Sequence, residues 1–354
     1  MLSQAATNFH KMIRGSAEFG KRRVSHRSAE LQLCALPAHG SRAELELRAP
    51  DACKLSSALL LAGLIASRTL GADATAPSPD PLAKAKSHFA RLGTNRIHYV
   101  TLGTGKETLV LVHGWGGNIG FWQFQIPSLA DKARLVLLDL PGHGKSDKPP
   151  TAYSMDFFAG AIDSVLRDAK VRKTTLVGHS MGTPVICRFY RNFPDKVAGL
   201  VAVDGALRAF DLKPEQIEAF IGPLRKPEYR EHTAQFIGGM FPNAGTEALR
   251  NRTIADVLKT PQHVLVSAME EMWRDQTAWV PEKIEVPLLV ANAKSPFWTP
   301  DYEAHVRKIA PKVDYRTMDG VGHFLMLEKP SEFNAMLVNF LEQNGLIHKS
   351  RRVP

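Results

Sequence analysis

With 354 residues, 44% of them hydrophobic and 23% charged, the chain can bury the core of one large α/β domain or two smaller ones. Its net charge of +10 comes from 45 Lys and Arg against 35 Asp and Glu, but these are scattered and lack the clustering of a nucleic-acid face, so no nucleic-acid partner is expected. Of the three cysteines, two precede a segment that reads as removable, and Cys187 alone cannot form an intramolecular disulfide. Its setting, Pro184-Val185-Ile186-Cys187-Arg188-Phe189, suggests a packed helix in which the thiol is a small buried hydrophobe.

Residues 1–53 show no sustained apolar periodicity and are expected to be a leader without a stable fold, or one placed ahead of the true start. Residues 54–76 have the grammar of an export signal: Lys54, the apolar run Leu55 to Ala66, then Ala72-Asp73-Ala74 and Ala74-Thr75-Ala76 as cleavage sites. Such a signal directs the protein to the periplasm or the medium. Its position past residue 50 is unusual, and the rival readings are a long n-region, an organelle leader, an uncleaved anchor or a cytoplasmic protein. The apolar run is short for a bilayer span, and contact with a membrane is expected only through residues 55–66 if they are retained. Residues 77–87, opening on Pro77-Ser78-Pro79-Asp80-Pro81, read as a linker.

Beyond this the chain alternates strands and helices. Arg96 to Thr101 and Thr108 to Val112 are apolar runs separated by Gly103-Thr104-Gly105-Lys106, which reads as a hairpin. Gly105-Lys106 lacks the spacing of a phosphate loop. The second run enters His113-Gly114-Trp115-Gly116-Gly117, where glycines let backbone N–H groups approach a ligand closely. The dinucleotide spacing is wrong there, so an oxyanion loop is the better reading, with the N–H of Trp115 as one donor. Arg134 to Leu138 is the next buried strand, ending at Asp139-Leu140-Pro141-Gly142-His143-Gly144-Lys145-Ser146-Asp147, and Phe157 to Asp168 has the stripe of an amphipathic helix.

Lys173 to Val177 then leads into Gly178-His179-Ser180-Met181-Gly182, the G-x-S-x-G pattern of a nucleophile elbow. A strand-to-helix turn this tight holds its central residue in a strained conformation, and only small residues two positions either side leave room for neighbouring backbone. Ser180 is the candidate nucleophile, and the N–H of Met181, at the start of the next helix, is the second oxyanion donor. Thr183 to Asn192 continues as helix and Val197 to Val203 as strand, ending at Asp204.

This order of strand, H-G-W-G-G, strand, D-L-P-G-H-G-x-S-D, helix, strand and G-H-S-M-G resembles the α/β-hydrolase superfamily, in its esterase, haloperoxidase and C–C hydrolase branch, over about residues 88–345. The resemblance implies a mostly parallel central sheet with helices on both faces, a core of residues 88–204 and 284–347, and a helical cap over residues 205–283 after the strand ending at Asp204. It implies that Asp139, His143 and Asp147 shape the pocket without catalysing. It also places the catalytic base at His323, in Asp319-Gly320-Val321-Gly322-His323-Phe324.

The acid departs from the family pattern. It is expected a few residues past Val286 to Asn292, where this chain has Ala293-Lys294-Ser295-Pro296 with Ser295 in its place. Asp204, at the end of the preceding core strand, keeps the order Ser, acid, His; Asp301 and an incomplete triad are the rivals.

The resulting expectation is a serine hydrolase of the carboxylesterase type, acting on a small apolar ester through an acyl-enzyme. C–C bond hydrolysis, lactone opening and peracid formation use the same triad, and a small-molecule receptor on the same fold is the reading from another class. No cofactor and no metal are expected, and oligomeric state leaves no mark in the sequence. Phe236, Met240, Phe241, Met269, Met272 and Trp273 could line an acyl pocket or be plain helical core. Asn251-Arg252-Thr253 fits a glycosylation sequon.

Overall fold

The computed structural model describes residues 80–274 and 276–348. The leader and the export-signal reading lie outside these residues. Eight strands form one sheet: β1 (Lys86–Leu92), β2 (Asn95–Leu102), β3 (Thr108–Val112), β4 (Arg134–Leu138), β5 (Thr174–His179), β6 (Val197–Val203), β7 (Leu288–Ala293) and β8 (Val313–Met318). Their order across the sheet is β1-β2-β4-β3-β5-β6-β7-β8. The first two pairings are antiparallel and the other five parallel. Every residue of β3, β5 and β7 is buried, the signature of central strands covered on both faces.

The expected hairpin between the strands at 96–101 and 108–112 does not form. β2 pairs instead with β1, through the turn at Gly93, and with β4, which separates it from β3. The Gly103–Gly105 loop crosses the start of β4. A Cβ at Gly103 would stand 2.2 Å from the Ala133 carbonyl oxygen, and one at Gly105 would stand 2.3 Å from that of Lys132. These glycines therefore serve a close backbone crossing and not a two-strand turn. β1 opens at Lys86, inside the stretch expected to be linker.

The helices are α1 (Ile126–Leu129), α2 (Met155–Asp168), α3 (Gly182–Asn192), α4 (Pro214–Ile221), α5 (Tyr229–Gly239), α6 (Glu247–Val257), α7 (Gln262–Arg274), α8 (Pro300–Ile309), α9 (Leu325–Glu328) and α10 (Pro330–Gln343). α2 starts where Ser154 accepts the Phe157 N–H at 3.1 Å, and it buries the stripe Phe158, Ile162, Val165 and Leu166. α4 to α7 all fall between β6 and β7. In α6 the sequon residue Thr253 is buried. Cys187 lies buried in α3, where burial pushes its thiol up to about 12 and leaves it unreactive. No helix among the described residues is long and apolar enough to cross a membrane.

Candidate active site

The site gathers at the ends of β3, β5, β6 and β7. Between β5 and α3, Ser180 sits at φ +54°, a left-handed conformation that a serine adopts only under constraint. Its N–H donates to the Val203 carbonyl at 2.9 Å and its own carbonyl accepts from Thr183 N at 2.9 Å, so the turn is held at both ends. A Cβ on Gly178 would meet the Gly182 carbonyl oxygen at 2.4 Å, and one on Gly182 would meet the Val112 oxygen at 2.5 Å. Those clearances are what the two outer positions of G-x-S-x-G need glycine for.

The loop after β3 lies directly over Ser180: a Cβ on Gly114 would come within 2.9 Å of the Ser180 Cβ. Trp115 and Met181, the two expected oxyanion donors, both line the cavity above Ser180. The loop is held from two sides. His143 Nε2 accepts the Gly116 N–H at 3.2 Å, and the Trp115 indole donates to the Leu265 carbonyl in α7 at 2.8 Å. His143 ties this loop to the one after β4. Its Nδ1–H donates to the Pro141 carbonyl at 2.9 Å, and burial drives its pKa down to about 3, so the ring stays neutral and can accept. Asp139 is likewise a buried tie, receiving His98 Nδ1–H at 2.7 Å and the N–H groups of Ile119 and Lys145 at 2.9 Å each. Asp147 pairs with Arg96 at the surface.

His323 projects from the loop after β8, and its Nδ1–H donates to Asp204 Oδ2 at 2.7 Å. That bond fixes the tautomer and leaves Nε2 as the nitrogen with the lone pair. The loop is clamped by Glu328, whose two oxygens accept the Gly322 N–H at 2.9 and 3.0 Å, and by Met240, whose carbonyl accepts the His323 N–H at 3.2 Å. Burial raises the Glu328 pKa, and the Gly322 N–H works against that rise. His179, the residue before Ser180, packs at a tilt against the His323 ring with centroids 4.7 Å apart and donates Nε2–H to the His323 carbonyl at 2.9 Å. Complete burial, aided by the neighbouring His323, holds His179 well below the usual imidazole range and thus uncharged.

Asp204 ends β6 at φ +45°. Its other oxygen, Oδ1, reaches the end of β7 and the loop after it, accepting Ala293 N–H at 2.8 Å and the Trp298 indole N–H at 2.9 Å. The stretch in which the family pattern expects the acid thus supplies donors to Asp204, at the end of the adjacent strand. Asp301, the rival, is exposed in the first turn of α8, and its backbone carbonyl accepts from Arg208 at 3.4 Å. Ser295 caps its own loop through Phe297 N at 3.1 Å. Ser180, Asp204 and His323 all line one cavity; Asp301 does not.

The cavity measures about 430 Å³. Four of the chain's five tryptophans line it, with Phe236, Met240, Met269 and Met272 from the helices between β6 and β7. Phe241 instead stacks on Phe324 at 4.9 Å. The single Lys or Arg side chain of the lining, Lys294, is 70% exposed and pairs with Asp319 at 2.8 Å. Trp298, Glu328 and the Met240 carbonyl carry no signal in the sequence, because single side-chain and backbone contacts between distant segments leave no periodic trace. Among the described residues, no group of three or more His, Cys, Asp or Glu is placed to hold a metal ion.

Comparison with known proteins agrees with this architecture. A family model described as the alpha/beta hydrolase fold matches residues 107–330. A 2-hydroxy-6-oxononadienedioate/2-hydroxy-6-oxononatrienedioate hydrolase of Paraburkholderia phymatum is 29% identical over 266 residues, covering 70% of this chain and 91% of that protein. A pimeloyl-[acyl-carrier protein] methyl ester esterase of Yersinia pseudotuberculosis is 27% identical over 262 residues, covering 70% and 98%. Among solved structures, an esterase of Exiguobacterium antarcticum superposes with a TM-score of 0.66 at 20% identity, over 73% of this chain and all of that one. Sheet order, elbow and family match together make the chain a member of the α/β-hydrolase fold family.

Proposed function

We propose that the protein is a serine hydrolase that cleaves a carboxylic ester of a small, uncharged, apolar acid through an acyl-enzyme. The observation that carries this reading is the His323–Asp204 pair, 2.7 Å apart, lining the same apolar cavity as Ser180. In this mechanism His323 Nε2 takes the Ser180 proton as Oγ attacks the ester carbonyl, and Asp204 stabilises the imidazolium. The N–H groups of Trp115 and Met181 hold the oxyanion, where each donor contributes about 2.7 to 4 kcal/mol in hydrolases of this chemistry. His323 then protonates the leaving alcohol and activates the water that releases the acid.

The lining supports this reading over C–C hydrolysis of a dioate, the kind of substrate named for the Paraburkholderia relative. A second carboxylate in this cavity would find no buried cation, and an unpaired buried charge costs several kcal/mol. The ester reading matches the names of the Yersinia and Exiguobacterium relatives. The test is a series of p-nitrophenyl esters in which each neutral acyl chain is matched with one carrying a terminal carboxylate. Neutral hexanoate should surpass its carboxylated partner by about 100-fold or more in kcat/KM. Equal rates would remove the claim of an uncharged substrate.

A further inference from the structure

Asp204 Oδ2 is committed to His323 and Oδ1 receives two donors of different kinds: a backbone N–H, from Ala293, and a side-chain N–H, from Trp298. The indole that makes the second bond also forms part of the cavity wall. It is itself fixed, with Phe297 edge-on at 4.7 Å and Tyr302 at 4.7 Å between centroids. Tyr302 in turn holds the turn after Asp204, accepting Leu207 N–H at 3.0 Å and donating to the Gly205 carbonyl at 3.2 Å.

We propose that Trp298 is a positioning residue of the triad, its indole N–H orienting Asp204 and setting how strongly that carboxylate favours the imidazolium of His323. This rests on the reading of Ser180, His323 and Asp204 as a hydrolytic triad. The physical reason is the position of Asp204: it stands on a strand end at φ +45°, away from the loop after β7, so that loop must reach it with donors. A donor on Oδ1 withdraws charge from the oxygen that faces His323 and keeps the carboxylate plane aligned with Nδ1. Removing it leaves a more basic, less constrained carboxylate. The other titratable groups near the pair are His179, uncharged through burial, Glu328 behind the His323 loop, and the phenols of Tyr302 and Tyr315, both raised by burial. None of them donates to Asp204 Oδ1.

The test is Trp298→Phe, which keeps an aromatic wall and deletes the N–H, alongside an isosteric replacement of Trp298 by benzothienylalanine in case the smaller ring disturbs packing. Both are expected to lower kcat about tenfold or more with KM within about twofold, the size of a lost hydrogen bond to a charged group. The acid limb of the kcat/KM profile should move to higher pH, and the downfield His323 Nδ1–H proton resonance should shift. An isosteric variant with kcat, acid limb and proton resonance all unchanged would overturn the proposal. If the wild-type protein turns over no ester, the hydrolase reading fails, yet the proton resonance still reports whether the indole polarises the His323–Asp204 pair.

Discussion

Among the described residues, three non-glycine positions have positive φ: Lys170, Ser180 and Asp204. Two of the three belong to the candidate triad, and each such position costs on the order of 1 to 3 kcal/mol unless its surroundings enforce it. For Ser180 that demand is legible in the sequence, because G-x-S-x-G is the pattern such a turn requires. For Asp204 it is not, since Val203-Asp204-Gly205 reads as any strand end. Three buried histidines around the site carry a further consequence. His113, His143 and His179 are all held below the ordinary imidazole range, with burial the largest cause in each. A base with a depressed folded pKa contributes its full stability above the unfolded value, about 6.5, and loses it as pH falls. Stability should therefore decline from about pH 6.5 downward, by up to about 1.4 kcal/mol per pH unit for each histidine. Urea unfolding at pH 7, 6 and 5 should show a slope shallower by about one proton in His143→Gln, which keeps an acceptor for Gly116 N–H. An unchanged slope would mean that His143 does not stay neutral in the fold.

At the scale of elements, most strands and the elbow were readable because buried strands in a parallel sheet are continuous apolar runs with turn signals at their ends. Pairing was less readable. The glycines at 103 and 105 look like a hairpin turn locally, and only the presence of β4 between β2 and β3 shows that they serve a crossing. β8, with its partly exposed residues Val313 to Thr317, offers no such apolar run. The acid depends on the same lesson. The sequence favours Asp204 over Asp301 and over an incomplete triad, and the hydrogen bond to His323 comes from the end of β6. Asp204→Asn should cut kcat by about 10⁴-fold with the fold intact by circular dichroism, as expected when the base loses the partner that fixes its tautomer. Asp301→Asn should remain near wild type. The opposite pattern of rates would assign the acid to α8.

For the molecule as a whole, the sheet fixes the positions of the reacting groups, while the segment between β6 and β7 contributes much of the cavity wall. The sheet, the candidate nucleophile and the candidate base are visible in the sequence through motifs that are local in the chain. The cavity is legible only in part: Phe236, Met240, Met269, Met272 and Trp273 are candidates for its wall, but the rest of its lining spans Gly114 to Phe324 and meets only in three dimensions. On the proposed reading its apolar character governs the substrate, and the polar groups at the site govern the chemistry. A receptor on the same fold would keep such a cavity without an activated serine. Reaction with a fluorophosphonate probe separates the two. The wild-type protein should be labelled on Ser180 at neutral pH, and labelling should disappear in Ser180→Ala and fall sharply in His323→Ala. A folded wild-type protein that binds apolar esters but takes up no label would contradict the assignment of Ser180 as a nucleophile.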